Sequence, residues 1–346
     1  MSAINIYNSV SLTDAITFAK PVSTFVLDSI FQTPVFNSSD KVDIEIELAS
    51  EGVAQFVSAD GDAIPVKKDS KKLERVTIPR TYEFKTFTTN DLNNLKALGL
   101  AYADAKTKDN LFNKEVMRNL VTLRDRIKRR QELMACMAIG LGKIQVSQDN
   151  IEFKVDFKFA AGKQIVTCGG DDLWSSSKSD PLAWMQDMEA DVVQRSGRPV
   201  TMRILGRNAA KAFKANAAVK ATQDTLHYMT GNIDLTQKRM LGATYLGNPG
   251  GIDTYEYNQQ YKNSSGTLTD MISTSACIFI AGGHDGFRKH FAPVERFEGT
   301  NVISNLVEVY VNAYTNDAKT KLVWEIEQKS LPAVHTPDCI VAASVL

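Results

Sequence analysis

The sequence predicts an α+β chain that is drawn out rather than rolled into one ball. Three observations carry this. Residues 41–48 and 150–159 alternate apolar and charged side chains with the period of two expected of half-buried strands. Between them, residues 109–141 place apolar side chains at three- and four-residue steps, which makes a helix of about 50 Å at 1.5 Å per residue, longer than a compact domain of this size needs. The last quarter of the chain then returns to β.

Composition narrows the class. The chain has 346 residues, enough for about two domains at roughly 150 residues each and for a sizeable core. Apolar residues make up 43% and charged residues 23%, an ordinary globular balance. Lys+Arg and Asp+Glu both number 40, so the net formal charge is zero. A dedicated nucleic-acid binder carries a basic excess, so that class fits only if the basic residues gather on one face. Zero net charge also removes long-range repulsion between copies and permits self-association. Cys136, Cys168, Cys277 and Cys339 are isolated, with no C-x-x-C pair, which argues against structural zinc and against a secreted disulfide framework. The start, Met-Ser-Ala-Ile-Asn-Ile-Tyr, lacks the charged and apolar regions of a signal peptide. No window reaches about 18 uninterrupted apolar residues, so no membrane span is expected. The expected compartment is the reducing cytoplasm of the cell that makes the protein.

The elements follow in order. Ser11 and Thr13-Asp14 suit a helix start, Pro21 interrupts the apolar residues after them, and Val22, Phe25, Val26, Leu27, Ile30 and Phe31 resume them. This reads as an arm with one short helix. Its large apolar side chains require burial, and a neighbouring subunit is one candidate surface. Val42, Ile44, Ile46 and Leu48 then share one strand face against Asp43, Glu45 and Glu47. Residues 50–72 are rich in Gly, Asp, Ser and Lys, with Lys67, Lys68, Lys71 and Lys72 around Asp69 and Ser70. Strand-like sequence resumes at Arg75-Val-Thr-Ile and continues through Tyr82, Phe84 and Phe87. The unit reads as a long two-stranded excursion with a polar tip. A lone hairpin needs a surface to lie on, and the rest of the chain need not supply it.

Val116, Leu120, Leu123, Ile127, Met134, Met137 and Leu141 form the stripe of the long helix, interrupted at Arg130. Its other faces carry Lys114, Arg118, Arg124, Arg126, Lys128, Arg129 and Arg130 against Glu115, Asp125 and Glu132. Nucleic-acid contact is one reading of this excess; a solvated face with salt bridges to a neighbour is the plainer one. Gly140 and Gly142 end the helix, and a hairpin turns around Ser147-Gln-Asp-Asn. Asp180 is the expected N-cap and Pro181 the first residue of a helix to Arg195, stopped by Gly197. A strand is expected at residues 200–205. Asn208 or a neighbour caps a helix over residues 210–220. Residues 225–300 alternate short strands with glycine turns, including Asn248-Pro-Gly-Gly. Residues 302–314 and 322–328 flank a turn at Asn316-Asp317, and residues 340–346 add a last strand.

Three stretches resemble sites. Gly282-Gly283-His284-Asp285-Gly286 follows an apolar run, with His290 nearby. A metal-dependent enzyme built on His284 and Asp285 is one reading. However, no third or fourth ligand of known spacing accompanies them, and His227 and His335 are distant in sequence. A tight turn is the plainer reading. Gly169-Gly170-Asp171-Asp172, with Cys168 and Trp174, has the look of an active site. Adjacent carboxylates are not placed to act as an acid–base pair, and no phosphate-loop, dinucleotide or zinc-protease motif is present. The Lys67–Lys72 cluster is either a solvated tip or a contact for an acidic patch. No catalytic, cofactor-binding or metal-ligating residue is assigned.

In these stretches the chain resembles the lambda-type (gpE-like) major capsid proteins of tailed bacteriophages. The resemblance rests on Gly169-Gly170, Trp174-Ser175 and Asp180-Pro181 before a helix. It rests also on Ala212, Phe213-Lys214, Val219-Lys220 and Asp224, and on Trp324-Glu-Ile-Glu-Gln328, Ser330, Pro332 and Pro337-Asp338 before a closing apolar strand. It implies the Hong Kong 97-type phage capsid fold. The corresponding segments are an N-terminal arm (residues 1–35), an extended β loop (36–90), a peripheral domain with the long spine helix (91–166), an axial domain (167–300) and returning C-terminal strands (301–346). It implies a structural role: hexamers and pentamers tiling an icosahedral shell around packaged double-stranded DNA, in the virion, after assembly in the host cytoplasm. Implied partners are a scaffolding protein and a portal, with no sequence-specific DNA binding; whether a decoration protein joins them is left open by the resemblance. Some relatives crosslink a loop lysine to a neighbour's asparagine; lambda-type members are not expected to. An encapsulin-like nanocompartment shares this fold and is the alternative from another class.

Overall fold

The computed structural model describes residues 24–47, 71–88, 91, 105–148, 151–176, 178–221, 239–240, 242–263, 265–282, 285–298, 301–315 and 320–346. In chain order its elements are α1 (Phe25–Ser29), β1 (Thr33–Phe36), β2 (Lys41–Glu47), β3 (Lys71–Thr77), β4 (Arg80–Thr88), α2 (Ala105–Leu141), β5 (Lys143–Gln148) and β6 (Ile151–Asp156). There follow β7 (Ile165–Thr167), α3 (Pro181–Ser196), β8 (Met202–Gly206), α4 (Arg207–Ala215), β9 (Arg239–Met240), β10 (Ala243–Gly247), β11 (Asp253–Tyr257), β12 (Gln260–Lys262) and β13 (Leu268–Asp270). The last are β14 (Ala276–Ile280), β15 (Phe287–Phe291), β16 (Val294–Glu298), β17 (Asn301–Asn305), β18 (Tyr310–Thr315), β19 (Lys321–Val334) and β20 (Ile340–Ser344).

The long helix forms as its periodicity predicts. At 37 residues, α2 spans about 55 Å. Its first half buries Val116, Leu120, Leu123 and Ile127 against Val311, Leu322, Trp324 and Ile326 of β18 and β19. Its last turns enter the main core with Leu133, Met134, Ala135, Cys136, Ala138 and Ile139, buried on several sides at once. Leu141, expected on the stripe, is 52% exposed because the helix leaves the core there.

Residues 80–88 do not join the ladder of the expected excursion. β2 and β3 pair antiparallel, Val42 opposite Val76 and Ile44 opposite Glu74. Pro79, which has no N–H for a ladder, precedes β4. β4 pairs instead with β19, Lys85 opposite Trp324. Alternation predicts a half-buried face but does not name the partner strand. The hairpin also lies on its own chain: Val42, Ile44, Ile46, Val76 and Ile78 join the main core. Lys158 meets Glu74 at 3.1 Å, and Lys329 meets Asp40 at 2.8 Å. Residues 67–70 of the lysine cluster lie outside the described residues, while Lys71 and Lys72 fall in β3.

The arm finds its surface within the chain as well. Phe25 packs its ring 5.1 Å from Tyr255, and Phe31 meets Phe287 edge-on at 5.9 Å. A neighbouring subunit is therefore not what buries residues 25–31.

β19 is the backbone of one sheet. Its first part pairs with β4 and β18, and its second with β15, which in turn pairs with β1. The other large sheet has seven strands in the order β7-β20-β14-β8-β11-β10-β9. Ile278 of β14 faces Gly140 of α2, and Phe279 faces Trp184 of α3. Neighbouring residues on a strand point to opposite faces, so α2 and α3 sandwich this sheet. Residues 302–314, expected as one strand, split: β17 pairs with β16, and β18 turns back onto β19 with Tyr314 opposite Val323.

Candidate functional site

The stretch at residues 165–182 joins the β5–β6 hairpin to the seven-stranded sheet. β7 pairs in parallel with β20, and the amides of Cys168 and Trp174 donate to the carbonyls of Ser344 and Val345 at 2.9 and 3.0 Å. Gly170 takes a left-handed φ of +63°, which lets the chain turn into the 3-10 turn Gly170–Asp172. Asp171 and Asp172 are exposed, and Asp171 only faces Lys178 at 3.6 Å. The apparent active site is a turn. Trp174 is buried, edge-on to Trp184 at 6.0 Å and 5.8 Å from Phe213, so it locks α3 to α4. Asp180 caps α3 as its type and position predict, accepting from the amides of Leu182 at 3.0 Å and Ala183 at 3.3 Å, with Pro181 in the first turn.

Asn208 does not cap the next helix. Gly206 holds that position, because a Cβ there would sit 2.2 Å from the carbonyl oxygen of Ser273. Asn208 donates instead to the Thr274 hydroxyl at 3.2 Å. The helix stops at Asn216, which is extended, and residues 217–221 resume helical backbone. Arg203, fully buried on β8, binds Glu189 of α3 and donates to the Pro249 carbonyl at 2.8 Å. It thereby fastens the Asn248-Pro-Gly-Gly turn to the sheet.

His284 and His227 lie outside the described residues. Asp285 is exposed and accepts from the Thr33 hydroxyl at 3.3 Å. Among the described residues no three His, Cys, Asp or Glu side chains converge as metal ligands. The structure does unite two histidines that are 45 residues apart: the Nε2 atoms of His290 and His335 are 3.0 Å apart in a buried contact. Sequence reasoning separated this pair by distance along the chain, and no local motif marks it.

The charges of α2 also resolve. Arg126 pairs with Glu83 at 2.6 Å, Lys128 with Glu308 at 3.7 Å and Arg124 with Asp125 at 3.1 Å. These salt bridges are internal to the chain, where neighbouring subunits were the expectation. Glu132 is buried and belongs to the arm contact: it accepts from the amides of Val26 and Leu27, each at 2.9 Å, and from the Tyr257 hydroxyl at 2.8 Å. Burial raises its carboxyl above the usual range, and these three donors oppose that rise.

On the face of β19 turned away from α2, Glu325 and Glu327 form a nearly buried acidic pair. Arg80 binds Glu327 through two nitrogens, and Arg296 of β16 reaches both carboxylates. Tyr82 donates to Glu325 at 2.6 Å, and that hydrogen bond is the leading cause of its hydroxyl being pushed up to about 12. Nothing in this arrangement leaves a reactive atom open to a substrate. It is a set of joints.

A family model described as "Phage major capsid protein E" matches residues 8–345. The chain belongs to the phage major capsid protein E family. The solved structure of the putative capsid protein of a prophage from E. coli CFT073 is similar, with a TM-score of 0.67 at 12% identity, covering 98% of this chain and 99% of that one. A phage-related protein from Bordetella bronchiseptica RB50 gives a TM-score of 0.57 at 10% identity, covering 99% and 98%. The cyanophage A-1(L) capsid asymmetric unit gives 0.52 at 10% identity, covering 100% and 97%. No curated protein is close enough in sequence to count as a match. The fold of this capsid protein E family member is the Hong Kong 97-type, and it is a shell-forming protein of the phage virion. No helix among the described residues is long and apolar enough to cross a membrane.

Proposed function

We propose that this chain builds the hexamers and pentamers of a closed icosahedral head around double-stranded DNA, gripping no particular sequence and catalysing no reaction. The full-length match to the capsid family carries this reading. Zero net charge supports a container that holds DNA without clasping it. Exposed apolar side chains at Phe84, Phe297 and Val302 suit surfaces that meet further copies, and many modest contacts repeated around a shell add up.

The working division is an arm (residues 1–35), an extended loop (36–90), a peripheral domain (91–166), an axial domain (167–300) and returning strands (301–346). A separate scaffolding protein and a portal complete the head, and the mature shell carries no covalent crosslinks between subunits. Negative-stain microscopy of the purified full-length chain tests the central reading. Uniform closed shells or capsomers are expected, and a featureless monomer overturns it. Stoichiometric metal that disappears in His284→Ala would support the metal-dependent enzyme instead.

A further inference from the structure

We propose that the buried contact between His290 and His335 is an acid-sensitive clasp that holds β1 and β2 onto the rest of the chain. His290 lies on β15, opposite Val35 of β1, and His335 directly follows β19. Both are buried, and their Nε2 atoms are 3.0 Å apart.

The proton positions follow from the partners. Nδ1 of His335 is 2.8 Å from the backbone carbonyl of Glu45 on β2. A carbonyl only accepts, so Nδ1 carries the proton and Nε2 of the neutral ring offers a lone pair. His290 donates its Nε2–H into that lone pair. Its own Nδ1 then accepts from the Asn37 side-chain amide at 3.3 Å. One arrangement with both rings neutral satisfies all four ring nitrogens, and it links the residue after β1, strand β2, β15 and the end of β19.

An added proton breaks that arrangement. On His335 it sets N–H against N–H across the pair. On His290 it sets N–H against the Asn37 amide. Either choice also buries a cation. Most nearby charged groups are held elsewhere, and the Glu45 side chain, on the strand whose carbonyl meets His335, is exposed. Arg288 and Lys289 flank His290 on β15, and Lys329 of β19 is bound to Asp40. On the hairpin, Asp43 holds Arg75 and Glu74 holds Lys158; in the adjoining loops, Asp285 accepts from Thr33 and Asp338 from Gln164. β1 itself, Thr33–Phe36, has no titratable side chain. Burial, then His335, then Arg288 pull His290 down to about 4.

The sign follows by linkage. A base whose folded value is depressed stabilises the closed state above its ordinary value near 6.5, and that contribution is lost as pH falls toward about 4. From His290 alone, the equilibrium constant for opening rises about thirtyfold between pH 7.5 and pH 5.

Hydrogen exchange of the full-length chain at pH 7.5 and pH 5.0, corrected for intrinsic exchange, tests this. Peptides covering residues 33–47 and 71–78 are expected to lose protection at least tenfold at pH 5.0, while β14 and β20 hold theirs. His290→Gln keeps a donor facing His335 and removes one of the two titrating rings, so its loss on acidification should be clearly smaller than that of the wild type. Equal protection of the wild-type peptides at both pH values overturns the clasp, and so does an undiminished loss in His290→Gln. If that variant does not fold, ring NMR of the wild-type protein decides: a His290 midpoint below 5 supports the clasp, and one near 6.5 overturns it.

Discussion

Glu132 on the spine helix caps a helix that is not its own, accepting the amide of Val26 from 106 residues away at 2.9 Å. Helix α1 begins after Thr24, whose side chain makes no capping bond and donates instead to Asp28 at 2.6 Å. Its first amides would otherwise be stranded in the core. Glu132→Gln places an amide NH2 against one of two backbone N–H groups. It should destabilise the arm by about 1–3 kcal/mol, the range for an orphaned buried donor. Limited proteolysis should cut the variant near residues 24–31 faster than wild type; identical cleavage would show that apolar packing alone seats the arm.

Trp174→Ala should reduce stability by about 3–5 kcal/mol, the usual range for removing a buried indole. It empties the space between Trp184 and Phe213. Thermal unfolding of unassembled protein and the yield of shells should fall together. A variant with wild-type melting and shell yield would contradict the role given to this side chain.

Gly206→Ala should fail for a reason unrelated to backbone φ, which is an ordinary −69°. The new methyl would lie 2.2 Å from one backbone carbonyl oxygen and 2.7 Å from the next, that of Thr274. The β8–α4 corner must shift, at about 1–3 kcal/mol or more, as for other overpacked sites. Soluble yield and melting temperature report it.

Two acidic residues should behave oppositely. Glu327→Ala leaves Arg80 and Arg296 facing a nearly buried gap and should cost about 3 kcal/mol. Asp43→Ala removes the partner of Arg75 on an exposed strand face, and denaturant midpoints should not move measurably. Equal midpoints for the two variants would overturn this ranking.

Much of the fold was legible in local periodicity. The stripe from Val116 to Ile127 placed the spine helix, and alternation from Val42 to Ile46 placed β2. Asp180-Pro181 marked a helix start to the residue. What was not legible depends on pairing across the chain. Residues 80–88 carry the same alternation as β2, yet pair with β19, since a period of two says how a strand is buried and not beside what. Glu132 was read as one more solvated counter-charge on a basic helix. The cue that it is buried was its place beside Leu133 and Met134, within the run that enters the core. No local motif joins His335 to its partners, because His290 and the Glu45 carbonyl are 45 and 290 residues away.

The position of β20 has a consequence for synthesis. Residues 340–344 lie inside the seven-stranded sheet, between β7 and β14, with Ile278 opposite Ala342 and Val166 opposite Ala343. A chain still on the ribosome has made both neighbours but not the strand that joins them. The sheet is joined only once residues 340–344 have been made, so a polypeptide that stops before them leaves β7 detached from β14 and its sheet incomplete.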